Sequence, residues 1–289
     1  MSLQYLRDIN VIILPAQGLA KIISGLRVKI RCEKSNEGKT NIGNVYLYNL
    51  NDDSRSMLEA KSTRVQVNAG YLGIDAPGKS GLLGSAAVSG SSVEPVFIGN
   101  IVKVEHKREQ ADIITKVKLQ DGGNHYRNIG FDKGYPPGVR LVDVIVDLSN
   151  KIALNKGSFV DIPNFKYANG LSLSGMVKDH MDMLCTTFQL EWSIQNETVQ
   201  VIPKNLAIGS EIIIVSPDTG MVGFPTKTDK GVEFSALMNP KFRVGARVQI
   251  QGSTVLPPGV FKIRKVNHEG DTYEGDFLSK CECTRMSNG

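Results

Sequence analysis

The chain repeats two short phrases in the same order, and this repetition constrains the fold more than any other feature. Arg-Val-Gln-Val at residues 64–67 returns as Arg-Val-Gln-Ile at 247–250, and Lys-Val-Glu-His at 103–106 returns as Lys-Val-Asn-His at 265–268. The offset between the copies falls from 183 residues to 162, so the first copy carries 21 extra residues after Asn68. Self-similarity at this scale predicts two copies of one β-rich module, separated by a different segment.

Length, charge and hydropathy narrow the class of protein. The chain has 289 residues, enough for two or three domains with separate cores. The net charge of +5 comes from dispersed lysines and arginines, which does not favour a dedicated nucleic-acid surface. No apolar stretch approaches the roughly 20 residues that span a bilayer, and the N-terminus lacks the features of a secretion signal. We therefore expect a protein made in the cytoplasm, with free thiols at four cysteines: Cys32, Cys185, Cys281 and Cys283.

The first module is predicted over residues 1–123. Alternation of polar and apolar residues predicts its strands at 11–14, 26–33, 43–49, 63–68, 96–106 and 112–119. Asn51 to Ser54 supply N-cap residues for a short helix at 55–60. The 21 extra residues fall in a long loop rich in Gly and Ser, predicted over 73–95.

The middle segment, residues 124–204, has a helical period instead. Apolar spacing predicts one helix over 139–152, and Ser172 or Ser174 can cap a second helix that runs to about Cys185. Alternation predicts a hairpin of strands 188–194 and 198–202, with Trp192 packed on the second helix.

The second module is predicted over residues 205–289. Its strands are predicted at 212–215, 231–236, 247–251, 260–268 and 273–284. The predicted fold class is therefore mainly β with an α+β insertion, in which two similar small β-barrel domains flank a helix-plus-hairpin domain.

One motif matches a nucleotide-binding pattern. Gly73–Ser80 fits the phosphate-loop pattern G-x-x-x-x-G-K-[ST] letter for letter. Such a loop must open a helix, whose N-terminal amides hold the phosphates. Residues 81–92 are too rich in Gly and Ser to favour a helix, and the second copy spans the same join with residues 253–258 alone. We therefore expect no nucleotide site, and an extended or poorly ordered loop at 76–92.

The histidines do not predict a metal centre or a catalytic site. Their spacing matches no zinc motif, and no nucleophile motif occurs in the chain. His106 and His268 occupy equivalent repeat positions at predicted strand ends, which favours a structural role. His180 lies among acidic neighbours on the second predicted helix, which favours a solvated face, and His125 lies in no motif. The sequence therefore predicts no catalytic, cofactor-binding or metal-binding residues, and no enzyme.

Three blocks of the chain resemble phage baseplate hub proteins of contractile-tail or prophage-like phages. The first block ends a strand on Ala-Gly-Tyr at 69–71, continues with Phe-Ile-Gly at 97–99 and closes on Asp-Gly at 121–122. The second block, residues 171–202, resembles the helix-plus-hairpin segment of that family. The third block, with Gly-Ala-Arg-Val at 245–248, resembles its closing barrel. The long loop at 73–95 departs from the family pattern.

The resemblance implies a structural protein of the virion tail baseplate, assembled in the host cytoplasm. Hub proteins of this kind carry two tube-like β-barrels in each chain, so a homotrimer presents six barrels in a ring. Such a ring adapts a six-fold tail tube to a three-fold spike. The implied partners are tail tube or distal tail proteins, the spike protein and the tape-measure protein. The resemblance implies no cofactor, no membrane span and no specific nucleic-acid site.

Two other functions stay open from the sequence. One is a nucleic-acid-binding β-barrel protein of the oligonucleotide-binding type, which salt-dependent binding to single strands would favour. An aromatic fraction of only 7% counts against it. The other is a nucleotide-binding enzyme that uses Gly73–Ser80.

Overall fold

The structure is a computed structural model, and it describes residues 5–72, 92–122, 129–152, 155–252 and 259–286. The protein is mainly β, as the sequence predicts, with three α-helices in the described ranges. No helix within these ranges is long and apolar enough to cross a membrane.

The first part of the chain contributes seven strands and one helix. The strands are β1 (Tyr5–Leu14), β2 (Lys21–Ile23), β3 (Val28–Ser35), β4 (Ile42–Tyr48), β5 (Arg64–Leu72), β6 (Glu94–Glu109) and β7 (Asp112–Gln120). Helix α1 (Asp52–Glu59) connects β4 to β5 and begins three residues before its predicted start. The predicted N-cap is confirmed, because the side chain of Asn51 accepts a hydrogen bond from the backbone N–H of Ser54 at 3.0 Å.

The middle part contains two helices and two small sheets. Its elements are β8 (Gly130–Tyr135), α2 (Leu141–Lys151), β9 (Asn155–Phe159), β10 (Leu171–Met176), α3 (Val177–Thr187), β11 (Leu190–Gln195) and β12 (Thr198–Pro203). The hairpin of β11 and β12 is confirmed. Its two turn residues, Asn196 and Glu197, both have positive φ, which is the backbone of a tight turn between twisted strands.

The predicted start of the second helix is wrong. Residues 171–176 form strand β10, which pairs antiparallel with β8, and the helix begins only at Val177. Leu173 is buried between two exposed serines, so this stretch has the period of a strand. Gly175 has a φ of 137°, a positive value that glycine adopts readily and that no α-helix contains, so the helix cannot include this position.

The last part contributes six strands. They are β13 (Ile212–Val215), β14 (Met221–Thr228), β15 (Gly231–Leu237), β16 (Arg247–Ile250), β17 (Val260–Asp271) and β18 (Phe277–Arg285). Strand β14 is absent from the sequence prediction because Gly223 and Pro225 interrupt its alternation. The predicted final strand begins at Phe277 rather than at residue 273, since residues 272–276 form the preceding bend.

The strands of the first and last parts form one sheet of 13 strands. Its main path is β14-β15-β18-β17-β3-β4-β7-β6-β5-β1-β2, and β16 connects β13 to β17. Buried apolar side chains form three clusters, one for each part of the chain. Met238 and Phe277 of the last part belong to the first cluster, so the two β-rich parts meet in a shared core.

Candidate assembly site

The two β-rich parts have the same strand order. In the first, the order across the sheet is β3-β4-β7-β6-β5-β1, and in the second it is β14-β15-β18-β17-β16-β13. The equivalent strands also follow one another in the same order along the chain. One difference is that β1 is antiparallel to β5, whereas β13 is parallel to β16. The shared order agrees with the duplication that the repeated phrases predict. The barrel form of each unit and the superposition of the units stay predictions.

The repeated phrases also have the same register in the two units. Arg64 lies opposite Asn100, and Arg247 lies opposite Lys262, so the sequence offsets of 183 and 162 reappear in the pairing. Each long strand has a one-residue bulge at the equivalent point, at Val102 in β6 and at Arg264 in β17. We call the unit of β1 and β3–β7 the first copy, and the unit of β13–β18 the second copy.

An aromatic residue and a glycine have exchanged places between the copies. Phe97 and Gly99 of β6 correspond to Gly259 and Phe261 of the second copy, and both phenylalanines are buried. In the first copy the Phe97 ring lies over Gly43, where an added Cβ would approach the ring to 3.1 Å. Val232 stands at the position of Gly43 in the second copy, so each copy fills the same space with different side chains.

The copies are joined by a seam between β17 and β3, which we call the inner seam. Residues 265–271 of β17 pair antiparallel with residues 29–35 of β3. Ion pairs connect its two sides: Arg27 lies 2.9 Å from Asp271, and Lys265 lies 2.8 Å from Glu33. The inner seam therefore makes the second copy an edge-to-edge neighbour of the first within one chain.

Each of the two repeated histidines contacts a hydroxyl group on the adjacent strand, but one histidine is buried and the other is exposed. Nδ1 of His106 lies 3.0 Å from the hydroxyl of Thr115, and Nδ1 of His268 lies 2.9 Å from that of Ser279. Both lie inside their strands, three residues before the end, rather than at the predicted strand ends. His268 is only 1% exposed at the inner seam, whereas His106 is exposed and contacts Glu59 of α1.

Changing His268 to glutamine should weaken the acid sensitivity of the fold. Burial lowers the pKa of His268 from 6.5 to about 3. Between these values the unfolded chain binds a proton that the folded chain excludes, so wild-type stability falls as pH drops below 6.5. At pH 5.5 this contribution reaches about 1.4 kcal/mol.

The measurement is the urea midpoint at pH 7.5 and pH 5.5. The shift between these two values should shrink for His268→Gln and persist for His106→Gln, which changes the equivalent residue of the other copy. Equal shifts for the wild type and His268→Gln would show that another group controls this window.

The first copy holds the middle segment through a buried carboxylate. Asp121 is fully buried, and its two oxygens accept the backbone N–H groups of Asn196 and Glu197, each at 2.7 Å. The side chain of Asn41 donates to the same carboxylate at 3.2 Å. Burial raises the pKa of Asp121, and these donors and nearby Lys34 oppose that rise. The Asp-Gly motif therefore anchors the turn between β11 and β12.

The second copy holds the same segment through a buried lysine. Nζ of Lys262, which is 1% exposed, donates to Oε1 of Glu191 at 2.6 Å and to the carbonyl oxygen of Lys204 at 2.7 Å. Burial lowers the pKa of this lysine. On the first copy, Arg64 pairs with Glu197 at 2.8 Å. The hairpin of the middle segment thus contacts both copies through charged groups, and Asp121, Lys262 and Glu197 among them are buried.

The remaining predicted residues have different outcomes. Residues 73–91, with the Gly73–Ser80 motif, and His125 lie outside the described residues, while β6 begins inside the predicted loop at Glu94. The solvated face predicted for His180 is wrong: its ring packs near Phe131, and its buried Nε2 has no hydrogen-bond partner within the described ranges.

Trp192 and the cysteines are as predicted. Nε1 of Trp192 donates to Asp182 of α3 at 2.7 Å, which fixes the hairpin on that helix. All four cysteines are free and buried. Burial raises the pKa of Cys32 and of Cys185 to about 12, so neither thiol is an effective nucleophile at neutral pH. Within the described ranges, no group of three His, Cys, Asp or Glu residues is placed to hold a metal ion.

The fold is similar to those of phage tail proteins. The 43 kDa tail protein of prophage MuSo2 from Shewanella oneidensis matches 96% of this chain and 96% of its own, with a TM-score of 0.65 and 9% identity. A tail protein from Neisseria meningitidis MC58 matches 97% of each chain, with a TM-score of 0.65 and 7% identity. At such low identity the likeness defines a class of fold, that of phage tail proteins.

The same fold occurs in a secretion system. The Escherichia coli protein c3393, a component of the type VI secretion system with structural similarity to the T4 tail proteins gp27 and gp5, matches this chain with a TM-score of 0.60 and 10% identity. The match covers 96% of this chain and 77% of c3393. The comparison with curated proteins gives no match.

Comparison of the sequence with family models identifies the family. The model of the family described as baseplate hub gp41 matches residues 10–263, which is most of the chain and takes in the first copy from residue 10, the middle segment and the second copy as far as residue 263. The chain belongs to this baseplate hub family. The resemblance inferred from the three blocks of residues is thereby confirmed.

Proposed function

We propose that this protein forms a homotrimeric ring in the tail baseplate of a virion and adapts a six-fold tail tube to a three-fold spike. The observation that carries the proposal is the duplication, in which strand order, register and bulge recur within one chain. Three chains with two similar units each supply six quasi-equivalent positions, while the middle segments retain three-fold symmetry.

The proposal divides the chain into three domains. Residues 1–123 and 205–289 form tube-like β-barrels, and residues 124–204 form the small α+β domain between them. The three clusters of buried apolar side chains support this division, since each draws most of its members from one of these ranges. The contacts of Asp121 and Lys262 fix the small domain on both barrels.

The proposed partners are tail proteins, and the proposed role is structural rather than catalytic. The ring would contact tail tube or distal tail proteins on one side, the spike on the other, and the tape-measure protein in its channel. Assembly would take place in the host cytoplasm. Membership of a baseplate hub family favours this role over a nucleic-acid-binding barrel and over a nucleotide-binding enzyme that uses Gly73–Ser80.

Light scattering coupled to size exclusion tests the proposed assembly. We expect a species of three times the chain mass of 31.5 kDa, either for the protein alone or after addition of its tail neighbours. Partners that bind only the ring shift assembly toward it by mass action. A monomer under both conditions, or a closed two-fold dimer, would contradict the adapter role.

A further inference from the structure

One edge of β6 has no partner where the equivalent edge of β17 has one. In β17, residues 265–271 pair with β3 at the inner seam. The offset of 162 makes residues 103–109 of β6 their equivalents. Strand β7 covers one edge of these residues, and no other strand that the structure describes pairs with the second edge. The first copy therefore presents an open edge at the position where the second copy forms the inner seam.

Strand β14 is the equivalent of β3, and it is open on the matching edge. Each is the outer strand of a hairpin whose inner strand pairs with the last strand of its copy. The pairs across the two hairpins place Thr226 at the position of Arg31, because Arg31 lies opposite Asn44 and Thr226 opposite Glu233. In the described part of the chain, β14 ends the sheet and pairs only with β15.

Burial differs between the copies in the way that a missing neighbour would produce. Val266 and His268 are 0% and 1% exposed, whereas the equivalent Val104 is half-buried and His106 is exposed. The inward side chains of β3 are fully buried, yet residues 222–228 of β14 are exposed apart from Pro225. Both pairs of equivalent strands, β6 with β17 and β14 with β3, thus differ in burial along the stretch that the inner seam covers in one member of the pair.

We propose that the open edge of β6 pairs antiparallel with the open edge of β14 in a second copy of this chain, in the register of the inner seam. We call this pairing the outer seam. It places Lys107 opposite Thr226, His106 opposite Lys227 and Glu105 opposite Thr228 of the neighbouring chain. The outer seam rests on the proposed function, since it supplies the contact between the chains of the ring. The two edges differ, so the contact is head-to-tail and closes by rotation.

Neighbouring elements leave room for the outer seam. Helix α1 approaches β6 through the contact of Glu59 with His106. In the second copy, the connection after β15 approaches His268 in the same way, through a hydrogen bond with the backbone of Phe242. That connection does not prevent β3 from pairing with β17, so α1 at the equivalent place does not close the edge of β6.

The bulge of β14 limits the outer seam to one end of the strand. The pairing of β14 with β15 slips between Val222 and Thr226, and Pro225 has no N–H to donate. Residues 229–230 form the turn to β15, so regular pairing in the outer seam covers residues 226–228 of β14 against residues 105–107 of β6. Val222 and Phe224 are 41% and 89% exposed, and the neighbouring chain would cover these apolar side chains.

The outer seam has fewer charge pairs than the inner seam. Lys265 reaches Glu33 at the inner seam, but the equivalent of Glu33 is Thr228, which has no charge. Arg27 pairs with Asp271 at the inner seam, but its equivalent is Gly220, just before β14, which has no side chain. The outer seam therefore relies on backbone pairing and apolar contact, and it is the weaker contact of the ring.

Cysteine pairs test the outer seam in the full chain. Directly opposite residues of antiparallel strands have Cβ atoms about 4.5–5.5 Å apart, so a small movement brings them to the roughly 3.5–4.5 Å of a disulfide, whereas diagonal neighbours about 7–8 Å apart are too distant. Lys107→Cys with Thr226→Cys should give a band at three times the chain mass on a non-reducing denaturing gel. Both positions are exposed, so the variant should fold, and the native cysteines are buried.

Two matched variants control this experiment. Glu269→Cys with Arg31→Cys places the same pair at the inner seam, and should cross-link within one chain without raising its mass. Lys107→Cys with Thr228→Cys is slipped by two residues, and should cross-link at most a tenth as much. Equal or stronger linking by the slipped pair would overturn the register.

The outcomes separate the outer seam from the proposed ring. If light scattering shows a trimer and the inner-seam pair forms, yet Lys107→Cys with Thr226→Cys gives no link between chains, the outer seam is wrong and the ring stands. If the protein stays monomeric with and without tail neighbours, both proposals fail.

Discussion

Replacing Asp121 with alanine is expected to lower the free energy of unfolding by about 3–5 kcal/mol. The substitution leaves two backbone N–H groups of the hairpin turn and the side chain of Asn41 without their acceptor. It also removes the negative charge near Lys34, which is only 5% exposed and whose pKa burial lowers to about 8. A buried cation without a compensating carboxylate is strongly destabilising.

Urea denaturation measures this effect through the fluorescence of Trp192, the only tryptophan of the chain, which lies in the anchored hairpin. The control is Asp143→Ala, which breaks an exposed ion pair with Arg140 and should shift the urea midpoint far less. The double variant Asp121→Ala with Lys34→Met should recover part of the loss, because it removes both charges. Equal midpoints for Asp121→Ala and the control would refute the anchoring role.

Replacing Phe97 with alanine is expected to cost about 3–5 kcal/mol, because the side chain is fully buried and its neighbours cannot fill the space. Gly43 faces the ring and has no side chain to move into the cavity. Gly99 is equally fixed, since a Cβ there would lie 2.7 Å from the backbone oxygen of Gln120. The space that Phe97 fills therefore stays empty in the variant.

Phe224→Ala is the control for this substitution, because it removes the same side chain from an 89% exposed position of the second copy. Its free energy of unfolding, measured by urea denaturation, should lie within about 0.5 kcal/mol of the wild-type value for the monomeric chain. A similar loss in both variants would mean that Phe97 is not a central part of the core.

Local patterns predicted most of the strands and the relation between the copies. The repeated phrases carry the same register and bulge because side-chain alternation fixes which residues face the core. The prediction failed where local signals conflicted. Ser172 and Ser174 are good N-cap residues, yet pairing with β8 and the backbone of Gly175 make that stretch a strand.

Contacts between distant parts of the chain left no signal in the sequence. The inner seam joins Cys32 to His268, which are far apart in the chain and lie in ordinary alternating strands. His106 and His268 stand in nearly identical phrases, so the sequence assigned them one role. Their opposite burial comes from the neighbouring strand, which only the tertiary structure provides. The anchors at Asp121 and Lys262 arise in the same way, from partners in the hairpin of the middle segment.

The covalent connection between the two copies changes the kinetic order of assembly. The seam between β3 and β17 forms within one molecule, so its yield does not depend on protein concentration. A ring of six separate units would have six contacts between molecules, whereas a ring of three such chains has three. Dilution would therefore weaken only the contacts between chains, which alternate around the ring with the contacts within chains. A ring that opens would break into whole chains with their paired copies intact.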